Sequence, residues 1–240
     1  MSLLWPEQVS LHLGGDGIAL ARPAQAVLRL PLAEAWPASL AAVPGLPRGA
    51  RLRVTVADHH ARYLRLVWPE GVYGRERQAF VEHRFTTVFG PGPWIIRRDE
   101  DSRGKVCLAA ALPAALAEAL MSWARDRRVS VIQAEPAFVH AYNRLAGWCR
   151  GDGALARLEA GRLTIGLWKG GLWQAVRSQP VAASGERNWG CVVSEGLAGL
   201  LATLPDGGRP EQASLYLDAL EAVPVGDLPA GWSWVERPHP

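Results

Sequence analysis

Apolar and polar positions alternate from residue 52 to 56, with Leu52, Val54 and Val56 on one face and Arg53 and Thr55 on the other. A period of two predicts a half-buried strand. Asp58-His59-His60-Ala61 interrupts the run with turn-compatible residues, and residues 63–68 resume it in apolar and aromatic side chains. The pattern predicts a hairpin stopped by Pro69 and Gly71. Ahead of it, residues 9–13, 18–22 and 26–30 read as three short strands, the first two joined by Gly14-Gly15-Asp16-Gly17. Residues 32–43 are helix-like, and Pro37 near their middle predicts a kink.

After the hairpin, Phe80, Val81, Phe85 and Val88 form a helical stripe over residues 78–88. Residues 94–97 and 105–111 read as strands flanking a charged turn at 99–104. Pro113 opens a helix that runs to about Arg127, with Leu116, Leu120 and Trp123 on one face. A strand at 129–134 and a helix at 136–148 follow. Gly151-Asp152-Gly153 marks a boundary, after which the pattern restarts. Residues 154–158, 163–168 and 172–177 are three strands joined by Ala160-Gly161 and Gly170-Gly171. A helix over 191–204 and a strand over 214–219 complete the set.

Three strands, a helix and a strand thus occur twice, from Val9 to Ala57 and from Ala154 to Ala219. A repeated supersecondary unit is a strong statement about architecture. The chain then runs out through Pro224, Gly226, Pro229 and Gly231, too short for another helix and strand, so the second unit reads as truncated. The expected division is residues 1–150, a first unit with an inserted helix–strand subdomain, and residues 151–240, a second unit with a C-terminal tail. The fold class expected is α/β.

Composition narrows the function classes. The 240 residues are 49% hydrophobic and 20% charged, ordinary for a globular chain with a sound core. The net charge of +3 comes from scattered arginines, of which Arg125, Arg127 and Arg128 are the nearest thing to a cluster. Nucleic-acid binding requires clustered phosphate contacts, so no nucleic-acid face is expected. Cys107, Cys149 and Cys191 are odd in number and far apart, which argues against a disulfide framework or a zinc site. The N-terminal residues lack a basic region followed by an apolar run, and no stretch has the length to span a bilayer. The expected location is cytoplasmic, at the inner face of the membrane if a partner holds the chain there.

The order of elements resembles the actin-like ATPase (ribonuclease H-like) fold, two duplicated βββαβ units with the first extended. Within it, the chain resembles the cytoplasmic actin-like proteins of type IV pilus and type II secretion machines. These are the pilus assembly protein PilM and the cytoplasmic domain of general secretion pathway protein L. The resemblance is carried by Leu52-Arg53-Val54-Thr55-Val56-Ala57, Tyr63-Leu64-Arg65-Leu66, the helix near residues 78–89 and Val106-Cys107-Leu108-Ala109-Ala110-Ala111. The Pro113 helix and residues 131–143 complete it. It implies an adaptor or scaffold that docks a segment of a bitopic inner-membrane partner of the PilN type.

In actin-like ATPases an Asp-x-Gly turn in each half holds Mg²⁺ and the phosphates, because glycine-rich turns bind anions and a carboxylate binds the metal. The corresponding turns here are Gly14-Gly15-Asp16-Gly17 and Glu159-Ala160-Gly161, with Thr164 three residues on. The first lacks Asp then Gly at the strand end, and the second carries Glu. The expectation is therefore a non-catalytic chain without a cofactor. The alternative is a nucleotide-binding ATPase or kinase-type enzyme using ATP and Mg²⁺ through Gly14, Gly15, Asp16, Glu159, Gly161 and Thr164.

Other chemistry is thinner. His59-His60 beside Asp58 is the most enzyme-like cluster, read as a polar hairpin tip. His83 beside Glu82 and His140 near Glu135 read as surface helix residues. A nuclease needs several carboxylates converging on metals, and Asp58, Glu159 and Asp218 are the strand-end acids available. No Gly-x-Ser-x-Gly occurs, and Ser184-Gly185 lies in a polar loop. Eleven tryptophans are many for this length. Trp168 and Trp173 flank a predicted hairpin tip, as core fillers or interface anchors. Trp232 and Trp234 share one face of an extended tail, expected to pack across the second unit or onto a partner.

Overall fold

The computed structural model describes residues 6–32, 36–99, 106–149, 151–181, 188–219 and 226–235. The chain divides into two compact units, residues 1–61, 92–95 and 111–140 in one and residues 62–91, 96–110 and 141–240 in the other.

The first unit is built on a five-stranded sheet in the order β3-β2-β1-β4-β8. Its strands are β1 (Gln8–Leu13), β2 (Gly17–Ala21), β3 (Leu28–Pro31), β4 (Arg51–Val56) and β8 (Ser130–Pro136). β1, β2 and β3 pair antiparallel, while β4 joins β1 and β8 joins β4 in parallel. Alternation buries Val9, Leu11, Leu13, Ile18, Leu20, Leu52, Val54 and Val56 and leaves the intervening positions toward the other face. Helix α2 (Ala114–Asp126) buries Leu116, Leu120 and Ala124, a stripe at intervals of four.

The second unit contains a sheet of the same topology, β11-β10-β9-β12-β13. Its strands are β9 (Gly153–Glu159), β10 (Arg162–Lys169), β11 (Leu172–Pro180), β12 (Ala213–Ala219) and β13 (Trp232–Val235). The directions repeat as well: β9, β10 and β11 are antiparallel, and β12 and β13 add in parallel. Helix α4 (Trp189–Ala202) opens on Asn188, whose side chain accepts from the Gly190 N–H at 3.0 Å. It packs Val193, Leu197 and Leu200 on Leu163, Ile165, Leu167 and Leu215. Gly196 permits close approach, since a Cβ there would lie 2.7 Å from Leu163 Cδ2. A three-stranded sheet, β5 (Arg62–Val67), β7 (Val106–Pro113) and β6 (Trp94–Arg98) in the order β5-β7-β6, carries helix α1 (Arg75–Phe89). Helix α3 (Ala137–Leu145) follows β8.

Three expectations change. Residues 52–68 do not form a hairpin, because both neighbours of β4 are the parallel strands β1 and β8, and β5 belongs to another sheet. The predicted helix over 32–43 reduces to a 3₁₀ turn at Ala38–Ala42, with residues 33–35 outside those described. Beyond Ala219 there is a further strand, β13, reached with no helix among the described residues. Trp232 and Trp234 of β13 pack on the α4 core, and Trp234 Nε1 donates to the Gly226 carbonyl at 2.6 Å. Most of the charged turn at 99–104 and all of Ser184-Gly185 lie outside the described residues.

Candidate functional site

Ligands of open α/β sheets sit beyond the carboxyl ends of the parallel strands. In the first unit those ends carry the Gly14–Gly17 turn after β1, Ala57 to His60 after β4, and Glu135 with the start of α3 after β8. The Gly14 N–H donates to the Gly17 carbonyl at 2.7 Å, and the Asp16 carbonyl accepts from the Leu32 N–H at 3.1 Å. Gly15 lies against the imidazole of His59: a Cβ there would stand 2.6 Å from its Cε1 and 2.7 Å from its Nδ1. A histidine ring therefore stands against the Cβ side of Gly15, while Gly15 and Asp16 stay exposed.

Asp58 is 1% exposed, and its Oδ1 accepts from the Phe138 N–H at 3.1 Å. A carboxylate at the first turn of a helix satisfies an orphan donor and complements the dipole. The sequence therefore misleads at residues 58–60: this segment is not a polar hairpin tip but the brace between β4 and α3. The His60 ring meets Trp36 edge-on at 6.1 Å between centroids. His140 Nδ1 lies 2.7 Å from Glu135 Oε1, a half-buried pair at the same end of the sheet. His83 and Glu82 are exposed on α1.

In the second unit, Glu159 closes β9 and Asp218 sits beside Arg157 in the β9–β12 register. Arg157 donates through Nη1 to Asp218 and through Nη2 to Glu159 Oε2, the latter at 2.9 Å. All three side chains are less than 10% exposed. Buried charge survives only where it is paired and hydrogen-bonded, and here one guanidinium serves two carboxylates. Gly161 has a φ of 66°, and its carbonyl accepts from the Val181 N–H at 2.9 Å, which fits a hairpin turn. Thr164 is fully buried and donates to Ser178 Oγ at 2.9 Å.

The six residues of the predicted nucleotide site thus fall into two sets. Gly14, Gly15 and Asp16 belong to the first unit and Glu159, Gly161 and Thr164 to the second. Against an Mg²⁺–phosphate cradle the fit is poor in each. The His59 ring stands against one side of Gly15, and Glu159 and Asp218 are already engaged by the Arg157 guanidinium. Among the described residues no group of three or more His, Cys, Asp or Glu is placed to hold a metal. Asp58 and the Glu159–Asp218 pair lie in different units.

Sequence reasoning passed over Arg157, although an arginine inside the apolar strand Leu155-Ala156-Arg157-Leu158 is itself a signal of buried ion pairing. It also missed Tyr142, which lies 5.7 Å from Trp168 and 4.7 Å from Trp173 between ring centroids. Trp168 donates to the Gly151 carbonyl at 3.0 Å, and Tyr216 donates to the Trp148 carbonyl at 3.3 Å. Trp168 and Trp173 are therefore core residues of this unit. Burial raises the Tyr142 phenol above its ordinary value, with Cys149 and Asp99 adding to the effect. The Arg65 side chain donates to the Trp173 carbonyl at 2.7 Å, and burial lowers its pKa from the usual value.

No helix among the described residues is long and apolar enough to cross a membrane. No family model matches the chain, and no curated protein does. Solved structures do. The cytoplasmic domain of EpsL, an inner-membrane component of the type II secretion system of Vibrio cholerae, superposes with a TM-score of 0.61 at 10% identity, over 97% of this chain and 90% of that one. A chain of the PilM–PilN type IV pilus biogenesis complex gives a TM-score of 0.59 at 14% identity, over 88% of this chain and 81% of that one. A protein of unknown function with an actin-like ATPase fold, from Bacteroides thetaiotaomicron, gives 0.52 at 11% identity over the same shares, 88% and 81%. With its duplicated five-stranded sheets, the chain has the actin-like ATPase fold, shared with the EpsL cytoplasmic domain and the PilM–PilN complex.

Proposed function

We propose that this chain is a non-catalytic adaptor of a type IV pilus or type II secretion-like assembly. It works in the cytoplasm and docks a segment of an inner-membrane partner. The observation that carries this reading is Arg157, whose guanidinium engages the carboxylate of Asp218 and that of Glu159, the latter at the turn where an actin-like ATPase needs a carboxylate for Mg²⁺. The first turn supports it, because the Gly14 N–H already bonds the Gly17 carbonyl and the His59 ring stands against one side of Gly15. The structural likeness to EpsL and PilM–PilN chains, at low identity, agrees with an assembly role.

The competing reading is a nucleotide-dependent ATPase or kinase. Thermal unfolding with and without Mg-ATP separates the two. A ligand held at 100 times its Kd stabilises the folded state by about 2.7 kcal/mol. The adaptor reading expects no rise in Tm with millimolar Mg-ATP, together with co-purification of the host machine's bitopic inner-membrane protein. A rise that disappears in Gly15→Val would overturn it.

A further inference from the structure

The two five-stranded sheets share one topology, so their faces compare strand by strand. In each, one face lies on the side that buries the main apolar core. On the second sheet the opposite face is buried too, under the chain that begins with α3: Tyr142 packs on Trp168 and Trp173, and the Trp148 carbonyl receives Tyr216. Among the described residues, the corresponding face of the first sheet is open at one end, while His12, Thr55 and Glu135 are half-buried at the other. Ser10, Arg29, Arg51 and Arg53 are exposed there, and Ala19 and Ala21 are only half-buried. This is unusual, because β1, β4 and β8 are parallel, and parallel strands are normally covered on both faces.

The register shows what the face would accept. Arg29 lies opposite Ala19, and Ser10 lies opposite Ala21 on one side and Arg53 on the other. Ser10 of β1 with Ala19 and Ala21 of β2 forms a shallow floor, bounded along β1 by Gln8 at one end and the half-buried His12 at the other. Arg29 on β3 stands along one side, Arg51 and Arg53 on β4 along the other. Three strand spacings separate β3 from β4, about 14 Å. An α-helix with its side chains is about 10–12 Å across, which fits between the two sides.

We infer that this open face of the first sheet docks an acidic amphipathic helix of a partner protein. The helix lies on the Ser10, Ala19 and Ala21 floor and turns carboxylates to Arg29 on one flank and Arg51 and Arg53 on the other. The second sheet, whose same face lies under the α3 segment, supplies the precedent for a helical cover; the arginines supply the charge complementarity. The inference rests on the adaptor reading and names the chemistry of the partner.

The test uses the full chain and a fluorescein-labelled peptide of about 20 residues, long enough to populate a helix in isolation, with alanine and leucine on one face and glutamate on both flanks. Anisotropy should report binding to the wild type. Arg29→Glu with Arg53→Glu should weaken it by at least about tenfold, as charge reversals at facing rims do. Ala21→Trp, which fills the floor without changing charge, should weaken it as well. Arg84→Glu with Arg125→Glu, on α1 and α2, should leave it unchanged, and circular dichroism should show every variant folded. A same-composition peptide broken by two prolines should bind more weakly. Wild-type affinity in Arg29→Glu/Arg53→Glu, or equal binding of the proline peptide, would overturn the proposal. So would an Arg29→Glu/Arg53→Glu protein that loses wild-type binding to phosphatidylglycerol–phosphatidylcholine vesicles while still holding the peptide, which would make the face a membrane surface. If Arg29→Glu/Arg53→Glu still co-purifies the inner-membrane partner, the face is wrong and the adaptor reading stands. If the wild type captures no such partner, the adaptor reading fails on its own, whatever the peptide does.

Discussion

Replacing Arg157 by methionine would leave two carboxylates in the second unit facing each other without the guanidinium that bridges them. Arg157, Glu159 and Asp218 are 8%, 3% and 9% exposed at their side chains, so water cannot take over the cation's role. Breaking a buried ion pair by removing one partner costs about 3–5 kcal/mol. Each kcal/mol moves Tm by about 2–4 °C in a protein of this size, so the expected fall is about 6–20 °C. Urea unfolding followed by tryptophan fluorescence suits the measurement, because Trp168 and Trp173 lie in the same unit. The decisive variant is Arg157→Met with Glu159→Gln and Asp218→Asn. Removing both carboxylate charges together with the guanidinium leaves no uncompensated buried charge, so the triple variant should recover part of the loss, the buried amides retaining the rest. A cost below about 1 kcal/mol for Arg157→Met, the value of an exposed pair, would refute the buried-bridge reasoning. A triple variant no more stable than Arg157→Met would refute it equally.

Three further outcomes follow from the geometry. Gly15→Ala should cost about 1–3 kcal/mol by overpacking, because its Cβ meets the His59 ring at 2.6 Å, and Gly15→Ala with His59→Ala should recover part of the loss in urea melts. Asp58→Ala should destabilise the first unit by about 1–3 kcal/mol, since it orphans the buried Phe138 N–H; hydrogen exchange at that amide should accelerate. Burial, with Cys149 and Asp99, holds the Tyr142 phenol above its ordinary value, so the folded chain keeps a proton that the unfolded chain releases. Stability from this group is complete below the ordinary tyrosine value and is lost as pH rises through the folded one, so Tyr142→Phe should flatten the alkaline fall in stability.

Much of the architecture was legible in the sequence, and the reason is local. Period-two alternation at residues 9–13, 52–56 and 154–158 is enforced by strand geometry alone, whichever strand lies beside it. Gly-Gly turns and the Pro113 helix start are likewise choices of backbone dihedral. The duplication emerged because both units use the same order of such local signals. Pairing is another matter. Nothing in residues 52–68 says that β4 takes parallel neighbours on both sides, since the hydrogen bonds that decide it come from β1 and β8, about 40 and 80 residues away in sequence. The run 58–60 has turn composition, and only packing made Asp58 a buried brace for α3 and set the His59 ring on Gly15. Arg157 was visible as an oddity in an apolar strand, yet its meaning depends on Asp218, brought alongside by the β9–β12 register. Local chemistry set which segments are strands and helices; burial, which is a property of the assembled chain, decided what their polar residues do.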